Sequence, residues 1–183
     1  MIPLEDIAYL KEGSALQQRA YRVLVRHKIL SLLEGFTPVL AGTIPIGVAL
    51  ENSDLDVLCC WKSSKDFTEC LEKYFGAYPG FRLRQVFKKG RETVIADFMA
   101  DGVSVEIFGQ QIPVVEQEAY IHRIAEEYLL KEKGEGFRNA VLKLKKEGLK
   151  TEPAFGVLLE MESDPYDTLL EYGKKIRNIE QEK

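Results

Sequence analysis

Two aspartates stand at the start of an apolar run that has the composition of a strand. Asp54 and Asp56 flank Leu55, and the run continues to Trp61. Because side chains at positions i and i+2 of a strand share one face, both carboxylates are predicted to point the same way, while Leu55 and Val57 enter the core. Two like charges this close repel each other, so either one carboxyl keeps its proton or a cation lies between them. A hard divalent ion, Mg²⁺ or Mn²⁺, held by one or two carboxylates and by substrate phosphates, suits this pattern.

A turn that contains glycine precedes the aspartates. The apolar residues from Pro38 to Ala41 are followed by Gly42-Thr43, and a second glycine follows at Gly47. Glycine lets the backbone turn sharply and approach another group closely. Backbone N–H groups exposed by such a loop form a concave site for an anion, so the loop is predicted to hold phosphates beside the carboxylates.

This combination resembles the signature of the polymerase β-like nucleotidyltransferase superfamily. Gly42-Thr43, Gly47 and Ser53-Asp54-Leu55-Asp56 match its Gly-Ser, Gly and Ser-Asp-x-Asp motifs in order and spacing. Thr43 stands where serine is usual and keeps the hydroxyl. The main departure is Ile44-Pro45-Ile46, where many members carry an arginine or another polar residue.

A second resemblance spans most of the chain. Val-Glu-Ile-Phe-Gly-Gln at 105–110 and Gly-Leu-Lys-Thr-Glu-Pro-Ala-Phe at 148–155 are similar to an uncharacterised bacterial family, domain of unknown function 4269. Together the resemblances imply an α/β (α+β) fold, a nucleotidyltransferase-like mixed sheet flanked by helices. Residues 1–110 are expected to form the core, and residues 111–183 a C-terminal helical region packed on it in a single compact unit.

Helical spacing and capping signals predict the elements of this fold. A first helix is expected to begin at the capping box Ser14-Ala-Leu-Gln17 and to end at Gly35. The further predicted elements are a strand over 37–41, the Asp-Leu-Asp strand, a helix capped by Ser63 or Ser64 that ends at Gly76, two hairpins over 81–108, helices over 113–134 and 137–147, and two short helices, the last opened by Asp164-Pro165.

The second hairpin predicts the position of a third carboxylate. Asp101-Gly102 between alternating apolar runs is a strong signal for a two-residue turn, which places Asp97 directly opposite Glu106. Opposed carboxylates destabilise a sheet unless a positive group compensates. The superfamily resemblance implies a third metal-binding carboxylate on such a strand, and Glu106 matches it best, with Asp97 as the competing candidate. Alternatively, Arg82 or Arg84 on the neighbouring strand neutralises Asp97.

Basic residues allow two interpretations. Five of them line the first hairpin: Arg82, Arg84, Lys88, Lys89 and Arg91. They either form a solvated edge that discourages strand pairing or a positive wall for a triphosphate or a nucleic-acid acceptor. Lysines of the C-terminal region, among them Lys145, are offset by nearby acids and are expected on a solvated face, although Lys150 precedes the turn to Pro153 and could point inward.

Composition excludes several classes of protein. With 183 residues, 45% of them hydrophobic and 30% charged, the chain has the composition of a soluble globular domain. A net charge of −4 argues against a general nucleic-acid coat protein. No apolar run approaches the roughly 20 residues that span a bilayer, and the N-terminus lacks signal-peptide features, so a cytoplasmic protein without a membrane partner is expected. Three cysteines without Cys-x-x-Cys spacing indicate neither a disulfide scaffold nor a zinc site.

The superfamily resemblance implies transfer of a nucleoside monophosphate from an NTP to an acceptor, with pyrophosphate leaving. Asp54, Asp56 and Glu106 would bind two Mg²⁺ ions, and the nucleotide-binding residues would be Gly42, Thr43, Gly47 and Ser53, of which Gly42 and Thr43 would hold the β- and γ-phosphates. The sequence does not choose among small-molecule, RNA and protein acceptors, or specify the base or the oligomeric state. Two alternatives stay open, a nucleotide-binding or regulatory module without turnover and the antitoxin component of a two-protein system.

Overall fold

The sheet that carries the predicted site residues has five strands. The computed structural model describes residues 6–181 of the chain. The strands lie in the order β1-β2-β5-β4-β3, in which the β2–β5 pair is parallel and the other pairs are antiparallel. The sheet is therefore mixed. Its strands are β1 (Val39–Ala41), β2 (Leu55–Cys60), β3 (Arg82–Lys88), β4 (Arg91–Ala100) and β5 (Val103–Gln110).

The turn at Asp101-Gly102 determines the register of β4 against β5. Both turn residues have positive φ, 49° at Asp101 and 72° at Gly102, as a two-residue turn that matches the strand twist requires. Asp97 pairs with Glu106, so the predicted register is confirmed. Val105 and Ile107 alternate with Glu106 and are fully buried on the core face.

Helices flank the sheet, and sequence-encoded caps begin several of them. Ser14 and Gln17 form the predicted capping box, Ser63 accepts a hydrogen bond from the Asp66 N–H, and Asp164 accepts from the N–H groups of Tyr166 and Asp167. The α-helices of the described residues are α1 (Ala15–Arg26), α2 (Ile29–Leu32), α3 (Ser64–Phe75), α4 (Glu118–Lys146), α5 (Thr151–Leu158) and α6 (Pro165–Gln181), with 3₁₀ turns at Ala8–Glu12, Glu34–Phe36 and Val114–Glu116.

The predicted first helix is wrong in its length. It ends at Arg26, because Lys28 adopts a left-handed conformation with φ of 51° and starts the separate short helix α2. The break redirects the chain so that Ile29 and Leu33 are both fully buried. Helical spacing of apolar residues continues across the break, so the pattern did not reveal it.

The helix predicted to begin at Pro113 instead begins at Glu118. Pro113 is extended, with ψ of 137°, and precedes the 3₁₀ turn Val114–Glu116. The interruption predicted at Gly134 is confirmed, since the glycine has φ of 76° and ψ of −169° and kinks α4 there. Only glycine adopts such a conformation readily, and the helix continues beyond it to Lys146.

The two faces of the sheet pack against different helices. α1 and α3 cover one face, where residues such as Phe67 and Leu71 pack with Val57 in the largest cluster of buried side chains. The other face packs against α4 and α6, through residues such as Leu58 and Ile121. No helix within residues 6–181 is long and apolar enough to span a bilayer.

Candidate active site

Acidic side chains form a row across the second face of the sheet. In the strand register, Asp56 of β2 lies beside Glu106 of β5, and Glu106 lies beside Asp97 of β4. Neighbouring strands are about 5 Å apart, so successive carboxylates of this row lie at close range. Ala41 precedes Asp56 in the row and Arg82 follows Asp97.

Burial and mutual repulsion perturb the two central carboxylates. Burial, followed by the charges of Glu106 and Asp54, raises the pKa of Asp56 to about 7, and Lys145 partly offsets this. The pKa of Glu106 is also raised, mainly by burial and secondly by the charge of Asp97, while the charges of Lys88 and Arg84 partly offset the shift. No hydrogen bond or ion pair within residues 6–181 reaches the Asp56 carboxylate, so a cation between the two carboxylates would relieve their repulsion.

Arginine from the edge strand neutralises the outer carboxylate. Arg84 Nη2 lies 2.7 Å from Asp97 Oδ2 and 3.9 Å from Glu106 Oε2. Asp97 is therefore ion-paired, as one alternative from the sequence held, and Glu106 is left as the carboxylate closest in register to Asp56. Arg82 lies beside Asp97 in the register but is exposed to solvent.

The Gly42 turn lies directly against the Asp56 carboxylate. Gly42 has φ of 70°, and a Cβ atom at this position would lie 1.9 Å from Asp56 Oδ2. Any side chain at position 42 would therefore displace the carboxylate. Thr43 follows with its side chain partly buried, so the sequence motif places a turn and a hydroxyl next to the acidic pair.

Side chains from two helices hold the carbonyl groups of the loop between Gly42 and Val48. Gln17 Nε2 of α1 donates to the carbonyls of Ile44 and Pro45, at 3.0 and 3.2 Å. The remaining contacts come from the C-terminal half of α4, where Arg138 Nη1 donates to Ile46 O and Lys145 Nζ donates to Val48 O at 2.7 Å. The turn is thus fixed from outside, although its Ile-Pro-Ile segment has no polar side chains.

Lys145 was not anticipated from the sequence, which predicted a solvated lysine. It is 9% exposed and lies near Asp56 and Glu126, because it follows the buried Val141 by four residues and shares its helix face. Burial lowers the pKa of Lys145, and Glu126, Glu152 and Asp56 oppose this shift. The spacing to Val141 was the one available signal.

The other predicted site residues are not paired in register with Asp56 or Glu106. Asp54 precedes β2 and is exposed, yet its charge reaches Asp56 and Glu106. Gly47 has φ of 73°, and a Cβ atom added there would lie 3.0 Å from Arg138 Nη1, while Ser53 Oγ accepts from the Leu50 N–H at 2.9 Å. Lys150 is exposed at the N-terminus of α5 and does not point inward. Ser53 thus has a local contact within the loop, whereas Gly47 lies beside the Arg138 side chain of α4.

A cleft of about 770 Å³ opens between this face of the sheet and helices α4, α5 and α6. This volume is typical of a small-molecule site. The acidic pair and Gly42-Thr43 line the cleft, as do three basic residues of the β3–β4 hairpin, Lys88, Lys89 and Arg91. The helical wall includes Ala119, His122, Arg123, Glu126, Thr151, Glu152 and Lys174. Glu116 and Glu118 also line the cleft, and Lys89 pairs with Glu118 at 2.9 Å, so Lys88 and Arg91 form its cationic side.

The donor set fits Mg²⁺ as an ion shared with a substrate. Within residues 6–181, no group of three or more Asp, Glu, His or Cys side chains is arranged to hold a metal ion. Asp56 and Glu106 supply two adjacent hard oxygen donors that repel each other. Mg²⁺ characteristically binds one or two carboxylates and completes its shell with water and substrate phosphates, so the pair suits a site that a nucleotide completes.

A known protein family matches the part of the chain that contains the five strands and most of the cleft. The model of the family described as "Domain of unknown function (DUF4269)" matches residues 22–172. The chain belongs to this family. The DUF4269 match begins within α1 and ends within α6, so it includes every site residue named above except Gln17 and Lys174. No curated protein matches the chain.

Solved structures show the fold of this DUF4269 chain. Cid1 poly(U) polymerase bound to MgGTP matches with a TM-score of 0.52 and 16% identity, covering 76% of this chain and 46% of its own. The same polymerase bound to Mg 3′-dATP matches with a TM-score of 0.52 and 17% identity, and the match covers 89% of this chain and 52% of the polymerase chain. The GLD-2/RNP-8 complex matches with a TM-score of 0.53 and 11% identity, and the match covers 86% of this chain and 63% of the matched chain.

These matches confirm the predicted fold, a nucleotidyltransferase-like mixed sheet flanked by helices. The chain spans about half the length of the first solved chains it matches. At identities below 20%, the likeness is one of fold.

Proposed function

We propose that the protein transfers a nucleoside monophosphate from an NTP to an acceptor. The observation that carries this proposal is the Asp56–Glu106 pair, held beside the Gly42 turn at the floor of a cleft with a cationic side. Partial burial of two adjacent carboxylates is unfavourable by itself, and structural proteins have little reason to keep them beside a cleft. A cation shared with a triphosphate accounts for the pair.

Each part of the site has a role in this reaction. Asp56 and Glu106 would hold Mg²⁺, which when bound neutralises phosphate charge and favours in-line attack. The backbone at Gly42 and the Thr43 hydroxyl would hold the β- and γ-phosphates, while Lys88 and Arg91 attract the anionic substrate.

The chemistry needs only one proton acceptor. The acceptor oxygen bonds to the α-phosphorus, the bond from that phosphorus to the bridging oxygen breaks, and pyrophosphate leaves. Glu106, through the carboxylate oxygen that does not hold the ion, would accept the proton from the acceptor hydroxyl. Positioning and charge stabilisation supply the rest of the rate enhancement. The proposed acceptors are small molecules, RNA and protein.

Pyrophosphate release tests the proposal. The four NTPs are supplied with Mg²⁺ and a panel of small hydroxylated, RNA and protein acceptors. Asp56→Asn is expected to lower release by about a hundredfold or more, because it removes an ion ligand. Thr43→Ala should lower it by about tenfold, since it deletes one hydrogen bond to a charged group, and Thr43→Ser should be nearly silent. The exposed Asp66 on α3, away from the cleft, supplies the control Asp66→Asn.

A nucleotide-binding module without turnover is the second candidate. The apolar Ile44-Pro45-Ile46 segment and the lack of a three-carboxylate cluster within residues 6–181 favour it. If NTP binding survives Asp56→Asn and no acceptor gives pyrophosphate release, the protein is a nucleotide-binding module and not a transferase.

A further inference from the structure

The helical wall of the cleft contains a carboxyl group that the proposed transfer chemistry does not use. Glu126 lies on α4, one turn beyond His122 and Arg123, and all three line the cleft. Its side chain is 4% exposed. No hydrogen bond or ion pair to Glu126 occurs within the described part of the chain. A carboxyl group that is nine-tenths buried usually has a hydrogen-bond partner, so we expect a ligand in the cleft to supply the partner of Glu126.

The neighbours of Glu126 do not supply that partner. Glu152 of α5 repels it electrostatically, and Lys145 attracts it from beyond ion-pair distance; the Lys145 amine donates to Val48 O at 2.7 Å. His122 is already engaged, with Nε2 2.9 Å from Tyr166 O and Nδ1 3.7 Å from Glu152 Oε1. At this end of the cleft, the His122 and Lys145 side chains are therefore held by other contacts, and the Glu126 carboxyl group is available to a ligand.

A second polar group faces the same cleft. Thr151 begins α5, immediately before Glu152, and is 8% exposed. Its hydroxyl has no hydrogen-bond partner within residues 6–181, and the residue lines the cleft with Glu126. A hydroxyl both donates and accepts, so it can bind either kind of group on a ligand.

The chemistry of Glu126 favours a neutral, planar ligand over a cation. Burial and the nearby Glu152 raise the pKa of Glu126 well above its ordinary value, which favours the protonated carboxyl. A protonated carboxyl offers one O–H donor and one C=O acceptor side by side. This pair complements a ring edge on which a donor and an acceptor are adjacent, as on the hydrogen-bonding edges of nucleobases.

We propose that the Glu126 carboxyl and the Thr151 hydroxyl bind the edge of the nucleobase when an NTP occupies the cleft. This inference rests on the proposed function, because it takes the triphosphate to lie at Gly42 and Asp56. Lys145, which lies near both Asp56 and Glu126, links the two ends electrostatically. The base would lie against the helical wall and the phosphates against the sheet.

Calorimetric titration of the full chain with Mg²⁺ tests the subsite without turnover. The probes are ATP, CTP, GTP, UTP and inorganic tripolyphosphate, which has no base. Glu126→Leu is expected to weaken the tightest NTP by about tenfold and to leave tripolyphosphate unchanged, because only the base contact is lost. Glu126→Gln should stay within about threefold of the wild type, since its amide also presents one donor beside one acceptor. Thr151→Val should weaken the same NTP, and Thr151→Ser should not.

The outcomes separate this subsite from the transferase proposal. Equal weakening of NTP and tripolyphosphate in Glu126→Leu would overturn the subsite, as would unchanged NTP affinity. A loss of GTP binding alone in Glu126→Gln would show an ionised carboxylate that accepts two N–H groups, and would overturn the neutral donor–acceptor contact. The predicted pattern of affinities without any pyrophosphate release would support the subsite and remove the transferase. If Glu126→Leu does not fold, the Thr151 and Glu126→Gln variants decide the question.

Discussion

At the residue scale, the Asp56 carboxyl links the stability of the metal-free protein to pH. Its pKa rises from an ordinary value of 3.8 to about 7 in the folded state. Folding therefore favours the protonated form, and stability falls as pH rises from about 4 to about 7, with little further change from this group above that range. A bound cation removes this cost, because it stabilises the ionised form.

Asp56→Asn is expected to stabilise the metal-free protein, by roughly 1–3 kcal/mol at pH 8 and much less at pH 4.5, because the neutral amide has no charge to desolvate. Urea unfolding in the presence of a chelator measures this difference. Saturating Mg²⁺ should raise the stability of the wild type and not that of the variant. A difference between the two proteins that does not change with pH would contradict this electrostatic description of the pair.

Residue identity and strand parity were enough to predict the apposition of Asp97 and Glu106. The Asp101-Gly102 turn allows a single favoured register, and that register is observed. Glu126 and Lys145 could not be predicted in the same way, because charged residues on a long helix usually face solvent. Their burial depends on α5 and on the Gly42–Val48 loop, which are brought to α4 by tertiary packing.

At the element scale, the turn at Gly42 is the structural feature closest to the proposed chemistry. It combines a positive φ with contact to Asp56, and its carbonyls are held by α1 and α4. Local sequence signals predicted the turn because glycine spacing reports backbone conformation directly. They also predicted the interruption at Gly134, but not the break at Lys28, where the apolar pattern continues through the irregularity.

Gly42→Ala should destabilise the protein more than the matched substitution Gly90→Ala. Both glycines have positive φ, 70° and 76°, so each substitution carries a backbone penalty of about 1–2 kcal/mol. At Gly90 there is open space, whereas at Gly42 the new methyl group would meet Asp56 Oδ2. Thermal unfolding with and without Mg²⁺ measures both effects. Equal destabilisation, with the metal response of Gly42→Ala intact, would show that the turn does not position the carboxylate.

At the scale of the whole molecule, the sheet and the C-terminal helices enclose the cleft together. β2 and β5 supply the acidic pair, the β3–β4 hairpin supplies cations, and α4, α5 and α6 supply the opposite wall. The fold follows from sequence pattern and from the superfamily resemblance, and solved structures confirm it. The acceptor does not follow from either, because positions that bind it need not contribute to the core and carry no periodic signal.

The most direct measurement is a crystal structure of the protein with Mn²⁺ and a non-hydrolysable NTP analogue, with the anomalous signal used to locate the metal. The proposed function predicts a manganese peak within about 2.5 Å of carboxylate oxygens of both Asp56 and Glu106, in contact with the triphosphate beside Gly42 and Thr43. The same crystals of Asp56→Asn should lose that peak. A nucleotide bound in the cleft with its metal away from Asp56 and Glu106, or a nucleotide bound outside the cleft, would contradict the proposal.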